Sequence, residues 1–112
     1  MALTVNVTAL AEGVVLLGLS GRLDASAAAD FEVALLPHAE NAAVTRVILD
    51  GAGLEYVASA GLRAILKAIK AMTPRKAILY GVGLTPTVVA VLKMTGFLAF
   101  VQLRGSIDEC LS

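Results

Sequence analysis

Apolar residues recur along this chain in two rhythms, a period of two and a period near 3.6, and the points where one replaces the other mark the elements. From Leu3 to Ala9 the period is two, with Leu3, Val5 and Val7 on one side and Thr4, Asn6 and Thr8 on the other, which predicts a half-buried strand. Glu12-Gly13 reads as a turn, and the nearly continuous apolar run from Val14 to Leu19 predicts a strand covered on both faces. The short connection makes these two an antiparallel hairpin. The alanine-rich stretch from Ala25 to Asn41 turns helical, since Phe31, Ala34, Leu35 and Ala39 can share a face. Asp24 or Ser26 is its expected cap, and Pro37 is expected to end or bend it near Leu36. Val44 to Leu49 returns to strand and stops at Asp50. Gly51 to Ala58 is then expected to be an exposed connection carrying Glu55 and Tyr56.

Ser59 stands directly before the clearest helical period in the chain. Leu62, Ile65, Leu66 and Ile69 recur at i, i+3, i+4 and i+7, which predicts a helix running to about Met72 with these four as its core face, closed by Thr73-Pro74. Arg63, Lys67 and Lys70 fall on another face as a basic stripe, whose plain explanation is solvation. A strand from Lys76 to Tyr80 and a Gly81-Val82-Gly83 turn follow. Thr85 should cap the next helix with Pro86 at its first position. Val88, Val89, Leu92 and Met94 would bury that helix, and Gly96 would end it. A last strand lies within Phe97 to Leu103, and Ser106 to Leu111 forms a short helix. Strands alternating with helices at this spacing predict one α/β domain over residues 1–112, with a mostly parallel sheet and right-handed crossovers.

Composition narrows what such a domain does. Nine Lys plus Arg balance nine Asp plus Glu, so no net field draws the chain to nucleic acid or to an anionic membrane. Aromatic residues make up 4% and tryptophan is absent, which argues against base-stacking platforms. One cysteine, Cys110, forms no internal disulfide and fits a reducing compartment, and the one histidine, His38, has no nearby partner for metal binding or catalysis. The N-terminus lacks a basic region followed by an apolar run, and no apolar stretch approaches the roughly 18 residues of a spanning helix. A cytoplasmic protein with no membrane insertion and no cofactor is expected.

Ser59 is the candidate site. At the start of a helix its hydroxyl can accept a hydrogen bond from an unpaired backbone N–H, which makes it an N-cap. A phosphate on the same oxygen would face those N–H groups and the positive end of the helix dipole. Around it, Asp50 and then Ala58-Ser59-Ala60-Gly61-Leu62 resemble the motif of the STAS family, the anti-sigma-factor antagonists and their relatives. There a strand ends in Asp or Asn, and Asp-Ser-Ser-Gly-Leu opens a helix, the serine after the aspartate being the phosphorylated one. Gly21-Arg22-Leu23-Asp24 is similar to the family's Gly-x-Leu-Asp, and Thr85-Pro86 through Gly96-Phe97 to its third helix and following glycine. Two motif positions depart: Ala58 replaces the aspartate and Ala60 the second serine.

The resemblance implies a mixed sheet of about five strands, mostly parallel, with helices mainly on one side. It also implies a binding module in a partner-switching pathway. Unphosphorylated, the domain would bind a serine kinase that doubles as anti-sigma factor; phosphorylation of Ser59 would block binding, and a phosphatase would restore it. On that resemblance Asp24, Glu55, Tyr56, Val57, Ala58, Gly61, Leu62 and Arg63 form the partner surface, and Gly61 lets a partner's backbone come close. The alternatives are a STAS subunit of a lipid-trafficking ABC transporter and a non-phosphorylated scaffold. Catalysis by Ser59 is not expected, because a nucleophilic serine needs an oriented base, and Val57 stands where a Gly-x-Ser-x-Gly elbow requires glycine.

Overall fold

The computed structural model describes residues 3–111. In chain order its elements are β1 (Thr4–Ala11), β2 (Val14–Leu23), α1 (Ala28–Ala39), β3 (Arg46–Val57), α2 (Ser59–Met72), β4 (Ile78–Val82), α3 (Pro86–Met94), β5 (Val101–Arg104) and α4 (Ile107–Leu111), with 3-10 turns at Thr73–Arg75 and Phe97–Ala99. The five strands form one sheet in the order β1-β2-β3-β4-β5. The predicted hairpin makes β1 antiparallel to β2, and every later neighbour is parallel.

One face of the sheet carries the main core. Leu17, Leu19, Val47, Leu49, Leu79 and Val101 meet Phe31 and Leu35 of α1, Ile65, Ala68, Ile69 and Met72 of α2, and Val88 and Leu92 of α3. Each such leucine or phenylalanine contributes about 1.5–3 kcal/mol by leaving water. The other face holds a smaller cluster in which Val14, Ile48, Tyr80 and Val82 lie under Cys110, with Ile107 beside them. Burial pushes the Cys110 thiol pKa up, and its Sγ donates to the Ser106 carbonyl at 3.6 Å, the bonding of an inert core thiol. The helices therefore lie mainly on one side, and only α4 lies on the other.

Several boundaries differ from the sequence pattern. Residues Gly51 to Val57 are strand and not an exposed connection: β3 stays paired with β2 as far as Leu23 opposite Val57, through register shifts between Gly18 and Ser20 and between Gly21 and Arg22. At each shift β3 carries an extra residue, which breaks the alternation expected of a strand. The inward residues become Leu54 and Val57, three apart, so G-A-G-L-E-Y-V resembles a loop. Strand β2 likewise runs on to Leu23. Pro37 neither ends nor closes α1, because the bond it removes belongs to the carbonyl of Val33 on the exposed side, while buried Leu35 and Ala39 hold the last turn.

Helix α2 is rotated from its expected face. Gly61, Ala64, Ile65, Ala68, Ile69 and Met72 are buried, and Leu62 and Leu66 only half-buried, because small residues at 61, 64 and 68 let the backbone approach the sheet. In β4 the strand begins at Ile78 and takes in Gly81 and Val82. Leu84 and Leu103 occupy the space where a Gly81 Cβ would sit, within 2.8 and 3.1 Å. In α3, Val88 and Leu92 are buried and Val89 half-buried, but Met94 is 85% exposed, since the helix ends before its face returns to the core. The edge position of β1 leaves Val7 46% exposed, although Leu3 and Val5 do pack on the core.

Candidate functional site

The ends of β2 and β3 set the site. The Ala58 N–H donates to the Leu23 carbonyl at 2.8 Å, which locks the entry to α2 against the end of β2. Asp24 and Ser59 each follow one residue later, so the pairing brings two of the sequence candidates to the same end of the sheet. Ser59 is exposed.

Ser59 is not the N-cap. It occupies the first helical position, and Ala58 is the cap, with extended backbone at φ −85° and ψ 169° and no side-chain hydrogen bond. The Leu62 N–H donates to the Ala58 carbonyl at 3.0 Å. The amides of Ser59, Ala60 and Gly61 precede it, and no side chain caps them. The first turn of α2 also holds no acidic residue, so no carboxylate of that turn offsets the positive end of its dipole. Among the described residues no hydrogen bond engages the Ser59 hydroxyl. Alanine at the cap, where the pattern predicted a serine cap, is what leaves this start open.

Asp24 serves the turn before α1. Its Oδ1 accepts from the Ser26 hydroxyl at 2.8 Å and from the Ala27 N–H at 3.0 Å, and these bonds, the hydroxyl first, hold its carboxyl below the usual carboxylate range. Helix α1 itself starts later, with Ala27 as cap. Asp50 is similarly local, since its Oδ1 accepts from the Ala52 N–H at 3.2 Å.

The other candidates divide by burial. Glu55, Tyr56 and Arg63 are exposed, Leu62 and Ala58 half-buried, and Val57 and Gly61 buried. The buried pair offers no surface to a partner. A Cβ on Gly61 would lie 2.5 Å from Leu23 Cγ, 2.8 Å from Leu23 Cδ2 and 3.3 Å from Val57 Cγ1. The close approach that this glycine permits is therefore internal, between α2 and the end of β2, and not to a partner's backbone. Arg22, absent from the sequence candidates, places its guanidinium 4.4 Å from the centroid of the Tyr56 ring. Its signal lay in the register, since bulged strands set Arg22 directly opposite Tyr56. The basic stripe is exposed at Arg63, Lys67 and Lys70, and Lys67 forms an ion pair with Glu32 that ties α2 to α1.

These features describe an exposed hydroxyl at an uncapped helix start, flanked by an exposed Glu55-Tyr56 segment and a basic helix face. Comparison with known proteins identifies the fold around these features. The model of the STAS domain matches residues 7–110. The fold is similar to that of an anti-sigma factor antagonist from Mycobacterium paratuberculosis, with TM-score 0.82 at 20% identity, covering 97% of this chain and 91% of that one. It is similar to SpoIIAA of Bacillus in its phosphorylated form, with TM-score 0.78 at 18% identity, covering 96% of each chain. It is also similar to a sulfate transporter family protein from Wolinella succinogenes, with TM-score 0.72 at 18% identity, covering 93% of this chain and 86% of that one. No curated protein matches the sequence. Among the described residues no helix is long and apolar enough to cross a membrane.

Proposed function

The chain belongs to the STAS domain family, and from that premise we propose that it is a non-enzymatic, cytoplasmic protein-binding module whose binding is switched by phosphorylation of Ser59. Its partner is a serine kinase that also acts as anti-sigma factor, and a phosphatase resets the switch. The observation that carries this reading is the open start of α2. Ser59 is exposed, and Ala58 leaves the amides of the first turn without a side-chain cap. A phosphoryl group there adds about −1.5 to −2 charges. Unpaired N–H groups and the helix dipole accept that charge without rearranging the core. The same charge placed in a surface that must desolvate against a partner opposes docking. Glu55, Tyr56 and Arg63 are the exposed residues beside it and form the docking surface, with Asp24 at its border. The similarity to SpoIIAA, a protein observed both phosphorylated and unphosphorylated, supports the reading.

A second reading rests on Ala58 and Ala60, which replace the acidic and second serine positions of the family motif, and on the similarity to a sulfate transporter family protein. On this reading the domain is a constitutive STAS subunit of a transporter, such as a lipid-trafficking one, and Ser59 is never modified. Binding separates the two. With the partner co-purified from native cells, Ser59→Asp should weaken binding at least about tenfold and Ser59→Ala should retain it, both with unchanged fold. Equal binding by the two variants overturns the switch.

A further inference from the structure

The two edges of the sheet are protected very differently. At one, β5 is only four residues long, and Arg104 lies across it, donating to the Leu103 carbonyl at 2.8 Å and to Gln102 Oε1 at 2.7 Å. At the other, β1 spans eight residues, T-V-N-V-T-A-L-A, with no charged residue and no proline. Its one register shift, between Ala9 and Ala11, falls at the far end, so Thr4 to Ala9 run in regular register with β2. Among the described residues no strand covers the outer side of β1. A long, regular, uncharged edge is a template for another strand, because its outward backbone groups lack partners and no side chain repels an incoming chain.

We propose that β1 pairs antiparallel with β1 of a second copy, joining two five-stranded sheets into one across a two-fold axis near Val7. The occupant follows from the strand's own symmetry. About Val7, the inner pairs match in both directions: Asn6 meets Thr8 and Val5 meets Ala9, while Thr4 meets Leu10 at the register shift. Apolar residues thus face apolar ones on the helix side, polar residues face polar ones on the other for the inner pairs, and no charges meet. A two-fold interface requires such self-complementarity. The absence of charge on β1 gives no basis for a partner chosen by charge. Val7, at 46% exposure, gains the most cover. Because Thr4 pairs with Ser20, the strand begins short of Leu23, so both Ser59 sites stay open and the dimer presents two of them.

Sedimentation equilibrium of the full chain up to about 1 mM, with amide hydrogen exchange at two concentrations, tests this. A monomer–dimer equilibrium is expected, with added protection confined to alternate amides of β1. Val7→Lys sets two like charges opposite each other and should raise the dissociation constant at least about tenfold, as should Val7→Glu. An equimolar mixture of the two should recover the dimer. Met94→Lys, on a distant exposed residue, should leave it unchanged. A monomer throughout the range, a dimer indifferent to Val7→Lys, no recovery in the mixture, or protection outside β1 each overturns the proposal. The exchange measurement on the unsubstituted chain decides the matter even if a Val7 variant misfolds.

Discussion

Helices α2 and α3 begin with nearly the same backbone and opposite chemistry. Both caps are extended, Ala58 at φ −85° and ψ 169°, Thr85 at φ −67° and ψ 156°. In α3 the Thr85 hydroxyl accepts from the Val88 N–H at 3.4 Å, and Pro86 at the first position has no N–H to satisfy. In α2 the cap has no oxygen, and the first position carries an exposed serine. One start is closed by its own residues; the other has no side-chain cap. The difference lies in two side chains, and it separates a structural helix start from one that can receive a phosphate.

The largest effect should come from disturbing how the open start is seated. Gly61→Ala drives a Cβ to 2.5 Å from Leu23 Cγ, and overpacking of this kind costs about 1–3 kcal/mol. Roughly 1 kcal/mol of improved helix propensity offsets part of it. A net loss in chemical denaturation is expected, and an unchanged midpoint would mean that Leu23 moves aside freely. Exchanging the two caps comes next. Ala58→Asp should stabilise the chain by about 0.5–2 kcal/mol, as it supplies the missing acceptor. Thr85→Ala should cost less, near the low end of that range at roughly 0.5 kcal/mol, because its bond is long. Opposite signs in thermal unfolding would confirm that the starts differ as described.

A phosphate on Ser59 should itself stabilise the fold by about 0.3–1 kcal/mol through the dipole, whereas a phosphomimic at Thr87, two residues after the Thr85 cap, would find its amide donors partly used. Unfolding midpoints of the phosphorylated and unphosphorylated chain read this directly. The smallest effect is that of pH. The folded-state pKa of Asp24 is lowered by the Ser26 hydroxyl and the Ala27 N–H. Its contribution is therefore present above the ordinary carboxylate pKa and lost as pH falls through the lowered value. Asp24→Asn should flatten the stability profile in that acidic window, with a small loss of stability at neutral pH that vanishes below the lowered value.

How far the sequence revealed this arrangement depended on whether a signal was local. The hairpin, the order of helices and strands, the Thr85-Pro86 start and the Gly96 stop follow from periodicity and turn chemistry, which neighbouring residues determine. The five-strand mixed sheet with helices mainly on one side followed from the family motifs. The paired ends of β2 and β3 did not follow, because two bulged residues erase the alternation that marks a strand, and only the partner strand explains why Leu54 and Val57 point inward. Gly61 was placed on the wrong side of the interface for the same reason: its tight neighbour, Leu23, is remote in sequence. Ser59 was legible as an exposed residue at a helix start. That Ala58, and not Ser59, holds the cap required the backbone angles.

The most direct measurement is intact-mass spectrometry of the protein purified from its native cells, before and after phosphatase treatment, with Ser59→Ala prepared in parallel. A species heavier by one phosphoryl group, removed by phosphatase, mapped to Ser59 and absent from the variant, is the predicted result. A single unmodified mass through growth and stress would contradict the switch and leave Ser59 an exposed serine on a constitutive binding domain.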